Sequence, residues 1–166
     1  MPLLQTEREA LIQRYADGPA RLKAALAKAP AEALQWRPAP GEWSVHEVIV
    51  HCADSETNAA MRIRYLAFEP EPRIVGYDQA HWAVASDYHS HPLAAALATV
   101  EAVRANTVPL LRRLSDEAWR KAGRHSEYAE PYTAERWLDI YAAHLEDHAA
   151  QIESNLVAWQ ARRHKP

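Results

Sequence analysis

Two histidines one helical turn apart, His144 and His148, have the spacing that most directly suggests chemistry in this chain of 166 residues. A helical pattern of apolar residues surrounds them, which predicts a helix whose inward face carries both imidazoles. Side chains at positions i and i+4 lie on the same side of a helix and can both reach a single ion. The pair therefore predicts part of a metal site. The alternative is a pair of buried histidines held by hydrogen bonds.

A third ligand could come from an earlier predicted helix, where His51 lies at the border of the apolar stripe. His46 competes for this role, but it is in the first turn and about 140° around the helix from His51. The two rings cannot serve one site, and we expect His46 at the surface. The segment His144 to His148 reads HLEDH, which departs from the zinc-protease patterns HExxH and HxxEH and so argues against protease chemistry.

The number of cysteines restricts the kind of metal site. The chain has nine histidines and a single cysteine, so an internal disulfide and a cysteine-based zinc cluster are both excluded. The ligands must be His, Asp or Glu. Cys52 follows His51 on the core-facing stripe, and we expect it to be an inert buried thiol.

Composition and charge restrict the class of protein and its partners. The net charge is −3, without the basic excess of a nucleic-acid binder. We find no apolar run long enough to span a membrane and no secretory pattern at the start, so we expect a cytoplasmic protein. Alanine occurs 33 times, glycine four times and phenylalanine once, a balance that favours helices over a sheet, and the sequence predicts an all-α protein.

Four helical segments can position the histidines. They are expected over about residues 3–29, 44–68, 92–114 and 134–161, with Thr133 as the N-cap of the last. Ser44 and Glu47 match a capping box at the start of the second segment. Pro19 should kink or split the first helix, and Pro109 should bend the third. The connections over 30–41, 73–91 and 115–132 are expected to be irregular, apart from a short helix within 73–91. These elements predict one four-helix-bundle domain over residues 1–166, with long loops that shape a pocket at one end.

Two stretches of this sequence resemble a known family. Residues 38–56 (PAPGEWSVHEVIVHCADSE) and 141–152 (YAAHLEDHAAQI) are similar to the DinB/YfiT-like superfamily of metal-dependent enzymes. The resemblance covers nearly the whole chain and implies a four-helix bundle. It also implies three metal ligands, which fall on His51, His144 and His148.

A three-histidine site implies a particular kind of chemistry. Three neutral imidazoles leave a divalent ion with open coordination positions, which is typical of a catalytic rather than a structural site. Zinc or nickel is expected first, and manganese or iron(II) also suits the ligands. Relatives in the resembling family include bacillithiol and mycothiol S-transferases and isomerases. The first hypothesis is therefore a metal-dependent transfer of a low-molecular-weight thiol to an electrophilic small molecule.

Several polar residues are candidates to bind or act on such substrates. Arg104 occupies an apolar-stripe position in the third helix, and its guanidinium could clamp an acidic group of the thiol. The alternative is an arginine whose stem lies along the core and whose head reaches solvent. Arg62 and Asn58, on the same side of the second helix as His51, are further cofactor-binding candidates. His125 is expected near the mouth of the pocket.

Two other functions remain open. The protein could be a metal-dependent hydrolase in which His125 or a carboxylate moves a proton to or from metal-bound hydroxide. It could also be a non-catalytic binding bundle with a role in stress responses. The amphipathic first helix could bury its surface against a second copy of the chain, and the resembling family often forms homodimers.

Overall fold

The computed structural model describes residues 3–163, and helices dominate this part of the chain. Four helices are long and two are short: α1 (Gln5–Leu26), α2 (Val45–Phe68), α3 (Gln79–Ala85), α4 (Leu93–Leu111), α5 (Asp116–Arg120) and α6 (Ala134–Arg163). The α1 helix packs against α4 and α6, and α2 packs against the same two helices. The long helices therefore form a four-helix bundle in which α1 and α2 occupy opposite corners. The predicted fold class is confirmed.

A layer of polar residues divides the core of the bundle into two apolar clusters. One cluster includes Leu22, Val48 and Ile152, and the other includes Tyr15, Ile63 and Trp137. The layer between them contains Glu56 of α2 and Arg104 of α4, which are 0% and 1% exposed. Charged groups are rarely buried so completely without a partner, and this layer adjoins the histidines described below.

The predicted capping box at the start of α2 is confirmed. The Ser44 hydroxyl accepts a hydrogen bond from the Glu47 amide at 3.2 Å, and the Glu47 carboxylate accepts one from the Ser44 amide at 2.9 Å. Arg37 also donates to Glu47, at 2.9 Å from its Nε. These bonds satisfy free amides of the first turn and fix the start of the helix that carries His51.

The Glu47 carboxylate should make the stability of the protein depend on pH. Burial opposes its ionisation, but hydrogen bonds from Arg37 and Ser44 lower its pKa from 4.5 to about 2. Because the folded-state pKa is lower than the unfolded-state value, the stabilisation is complete above about pH 4.5 and is lost as the pH falls towards 2. Urea unfolding between about pH 6 and pH 3 should show that wild type and Glu47→Gln differ less in stability as the pH falls. A difference that stays constant with pH would contradict this prediction.

The prediction of an irregular loop over 115–132 was wrong. This stretch contains α5 and two strands, β2 (Ala122–His125) and β3 (Tyr128–Thr133), while β1 (Arg73–Ile74) lies earlier in the chain. The strand β2 pairs parallel to β1 and antiparallel to β3. A Cβ at Gly123 would lie only 2.7 Å from the Pro72 carbonyl oxygen, so glycine allows the two segments to approach. The strands are short and lack a run of β-branched residues, which is why their sequence did not predict them.

The ends of the long helices agree with the sequence in most respects. Thr133 caps α6 through a 3.1 Å hydrogen bond from the Arg136 amide, and α6 continues two residues beyond the predicted end. Pro19 does not split α1, which is continuous from Gln5 to Leu26. Within residues 3–163, none of the helices combines the length and apolar character needed to cross a membrane.

Candidate metal centre

The structure brings His51, His144 and His148 together. His51 comes from α2 and the other two from successive turns of α6, and one ring nitrogen of each lies within 4.8 Å of the others. The His51 ring centre is 5.7 Å from that of His144 and 4.9 Å from that of His148. His51 is buried, whereas His144 and His148 are half-buried. The cluster is therefore closed on the α2 side and partly exposed on the α6 side.

The surroundings keep two of these imidazoles neutral. Burial, followed by the neighbouring His148 and His144, lowers the pKa of His51 to about 2. Burial and His144 lower the pKa of His148 to about 4. Neutral rings offer the lone pairs that metal binding requires. The Nδ1 of His51 is buried and, within residues 3–163, has no hydrogen-bond partner. An unpaired buried nitrogen is costly, so the cluster fits a bound cation.

Neighbouring side chains hold the two rings of α6 through their Nδ1 atoms, and a third contact involves Nε2 of His144. The Nδ1 of His144 is 3.1 Å from the Glu56 carboxylate, and the Nδ1 of His148 is 2.8 Å from the Gln151 side-chain oxygen. The Nε2 of His144 is 3.3 Å from the Ser55 hydroxyl. Histidines that bind metals commonly donate their other N–H to such oxygens, which fixes the ring and its tautomer. The contacts indicate the Nε2 atoms of both rings as the ligand atoms, with the Ser55 hydroxyl beside that of His144.

Arg104 has a different place from the one that the sequence suggested. Its guanidinium is 1% exposed and donates to both carboxylate oxygens of Glu56, at 2.9 Å from Nε and 2.6 Å from Nη2. Burial opposes ionisation of Glu56, but Arg104 and His144 hold the pKa of this carboxyl below its usual value. The arginine does bind a carboxylate, but an internal one. It is closed to a soluble cofactor, and the alternative of a solvent-reaching head is wrong as well.

The other candidate residues are Arg62, Asn58 and His125, and they differ in how they are connected to the three histidines. Arg62 is one contact away, since it donates to the Tyr141 hydroxyl at 3.2 Å and the Tyr141 ring lies 5.5 Å from that of His144. Asn58 donates to the Asp54 carbonyl of its own helix. His125 is on β2 beside a cavity of about 720 Å³ whose lining does not include the three histidines. Of these three candidates, Arg62 is the one that the contacts above connect to a ligand histidine.

His46 lies inside the protein and not at its surface. It is 8% exposed, and its Nε2 is 2.8 Å from the His91 carbonyl oxygen. The prediction that the His46 side chain lies outside the site of His51 is consistent with the structure. It is not at the surface, because the segment after α3 folds over that side of α2. A 3₁₀ helix in this segment, Tyr88–Ser90, packs there. The Cys52 side chain is fully buried, as expected.

Sequence reasoning missed the polar residues that surround the histidines. Glu56, Ser55 and Gln151 contact His144 or His148, and the Tyr77 hydroxyl is buried with no hydrogen-bond partner in the described chain. Burial raises the pKa of Tyr77 to about 12, so its hydroxyl keeps its proton at neutral pH. One sequence signal could have identified Glu56 as a functional candidate, because it is a charged residue within the apolar stripe of α2.

Comparison with known proteins gives matches over most of the chain. A family model described as the DinB superfamily matches residues 14–152. A protein of Bacillus subtilis named "Putative metal-dependent hydrolase YfiT" is 29% identical over 146 residues, which are 88% of this chain and 82% of the relative. A protein of Oceanobacillus iheyensis with the same description, OB0782, is 33% identical over 86% of this chain and 82% of its own length.

Two solved structures resemble this fold. The YfiT structure from Bacillus subtilis, described as having an unusual four-helix bundle topology, superimposes with a TM-score of 0.86 at 27% identity, over 92% of this chain and 87% of that one. A mycothiol-dependent maleylpyruvate isomerase superimposes with a TM-score of 0.70 at 14% identity, over 87% of this chain and 60% of that one. The second match shows a shared fold.

Proposed function

The chain belongs to the DinB superfamily, and from this premise we propose that it is a metal-dependent enzyme that transfers a small thiol to an electrophilic small molecule. The observation that carries the proposal is the meeting of His51, His144 and His148, whose ligand atoms lie within 4.8 Å of one another. Three imidazoles hold a divalent ion and leave it open positions for a substrate. Zinc and nickel suit this set best, followed by manganese and iron(II).

Among residues 3–163, no unengaged carboxylate contacts a ligand histidine, and this favours a thiol substrate. A bound divalent cation would lower the pKa of a thiol, so that the thiolate is available near neutral pH. The substrate then needs little help from a protein base. Among the described residues, the carboxylate that contacts a ligand histidine is Glu56, and Arg104 and His144 already occupy it. In this reaction the thiol gives up its proton to solvent water, a carbon–sulfur bond forms, and the leaving group departs with the electron pair of the bond that held it.

Arg62 and Tyr141 are the residues that we assign to the substrate side of the site. Arg62 is half-buried, and Tyr141 connects it to the ring of His144. A guanidinium in this position can bind an acidic group of the thiol and orient the sulfur. The Arg62 guanidinium also lies 5.8 Å from the ring centre of Tyr77.

Hydrolysis is the second candidate, and the names of two relatives favour it. In that reaction a water molecule would replace the thiol. The same three histidines would hold the ion, but a base would still be needed to move the proton. His125 does not meet this need in the described structure, because it lies in the β2–β3 hairpin and its Nδ1 accepts a hydrogen bond from the Glu127 amide.

Monochlorobimane provides a direct test, because it becomes fluorescent when a thiol displaces its chloride. Protein purified without an affinity tag and loaded with zinc or nickel should accelerate the reaction with bacillithiol, mycothiol or cysteine. His148→Ala should react no faster than the buffer. His46→Ala is the matched control, since His46 is also a buried histidine but lies outside the cluster.

The outcomes distinguish the three functions. Acceleration that depends on His148 supports thiol transfer. Cleavage of p-nitrophenyl acetate without added thiol, lost in His148→Ala, would instead support the hydrolase. Metal binding with neither activity would contradict both and indicate a binding bundle.

A further inference from the structure

The buried layer of the bundle is connected to one metal-ligand candidate through a single oxygen atom. Oε1 of Glu56 accepts from Nη2 of Arg104 at 2.6 Å and lies 3.1 Å from Nδ1 of His144. Glu56 is fully buried, so water does not compete for these bonds. Any displacement of this carboxylate must move the His144 ring or break its hydrogen bond.

Arg104 is held by groups from the three other long helices. Besides Glu56 of α2, it donates to the Tyr15 carbonyl of α1 and to the Tyr141 carbonyl of α6, the latter at 2.9 Å. Its guanidinium carbon also lies 4.0 Å from the ring centre of Tyr15. A planar group with fixed donors and four separate contacts has one available orientation. Because both oxygens of the Glu56 carboxylate accept from this guanidinium, the orientation of the carboxylate is fixed as well.

The sequence of α1 makes room for this contact. In a regular helix the Tyr15 carbonyl would accept from the amide four residues later, but that residue is Pro19, which has no N–H. Arg104 supplies the missing donor. A Cβ on Gly18 would collide with Nη1 of Arg104, so glycine is required where the guanidinium approaches. Gly18 and Pro19 thus allow the Arg104 guanidinium of α4 to pack against α1.

Stability alone is a weak explanation for this buried ion pair. Replacing such pairs by well-packed apolar residues is often neutral or stabilising, because two charges must be removed from water. The contact with His144 suggests another role. An ionised carboxylate only accepts hydrogen bonds, so Nδ1 of His144 must carry a proton, and Nε2 is the atom left to offer a lone pair to a metal.

We propose that Glu56, fixed by Arg104, is a positioning residue that holds His144 with its Nε2 directed at the metal. The inference rests on the proposed metal site and identifies what orients one of its ligands. Arg104, which the sequence suggested as a cofactor clamp, acts through Glu56 on the metal centre.

Zinc affinity of Glu56→Gln tests the proposal. Both oxygens of Glu56 accept from Arg104, so an amide nitrogen in either place faces an N–H group and disturbs the arrangement. Loss of a group that orients a metal-binding histidine weakens metal binding by about 10–100-fold, and we expect this change in a chelator competition titration. Glu47→Gln is the matched control, because Glu47 is a buried glutamate of the same helix that pairs with Arg37. Its affinity should equal that of wild type.

A second measurement does not depend on the variant or on metal. Nitrogen-15 NMR of the metal-free wild type near pH 7 reports which nitrogen of His144 is protonated, and we expect Nδ1. A proton on Nε2, or wild-type zinc affinity in folded Glu56→Gln, would overturn the inference and leave the metal site intact. Failure of the wild type to bind zinc would overturn the proposed function together with this inference.

Discussion

Replacing His51 with alanine is expected to remove the metal from the protein while leaving the bundle folded. His51 is the ligand candidate that α2 contributes, and the pair from α6 cannot complete the site alone. Two imidazoles and water bind a divalent ion much more weakly than three imidazoles do. The loss should exceed the roughly 100-fold upper limit expected for a residue that only orients a ligand. Protein purified without a tag should contain about one ion per chain in the wild type and background metal in the variant.

The same experiment has a matched control in α2. His46 is also buried, and its Nε2 contacts the His91 carbonyl at 2.8 Å, but it lies outside the cluster. Elemental analysis of His46→Ala should give the wild-type metal content. Circular dichroism of both variants checks that the helices remain. Retention of about one ion per chain by folded His51→Ala would contradict the three-histidine site.

The α6 half of this site could be predicted from the sequence because its geometry is local. Spacing of i and i+4 on an apolar stripe determines that His144 and His148 point the same way. His51 is remote along the chain, and residue spacing left its role open. The family resemblance assigned it as the third ligand, and the packing of α2 against α6 places it beside the other two.

The partner of Arg104 could not be predicted because it depends on which helices are neighbours. Two charged residues, Glu56 and Arg104, occupied apolar stripes, and each was visible in its own segment. Opposite charges in two stripes suggest an internal pair. Helical periodicity does not give the positions of α2 and α4 relative to each other along the bundle axis. It therefore could not show that the side chains of Glu56 and Arg104 meet.

Tertiary contacts also explain the errors outside the site. His46 was expected at the surface because its own helix turns it away from His51, but residues around the 3₁₀ helix Tyr88–Ser90 cover it. The β2–β3 hairpin was expected to be a loop because its strands have few β-branched residues. It is supported by β1, which lies about 50 residues earlier.

Replacing Arg104 with leucine is expected to destabilise the protein by about 3–5 kcal/mol, because it leaves the charge of Glu56 buried and unpaired. It also removes the donor to the Tyr15 carbonyl, which Pro19 cannot replace. Urea unfolding followed by circular dichroism measures the change. Arg112→Leu is the control, since Arg112 pairs with Glu9 at the surface with side chains 44% and 53% exposed. That variant should change the free energy of unfolding by about 0–1 kcal/mol. An equal effect of the two substitutions would contradict the importance of the buried pair.

The double variant Arg104→Leu, Glu56→Leu separates the stability of the bundle from the geometry of the metal centre. With both charges gone, the layer becomes apolar, and most of the stability lost in Arg104→Leu should return. The His144 ring, however, loses the oxygen that fixes its Nδ1. We therefore expect zinc binding in the double variant to remain about 10–100-fold weaker than in wild type. Recovery of stability without recovery of affinity would show that the ion pair serves the metal centre, whereas recovery of both would mean that His144 needs no such support.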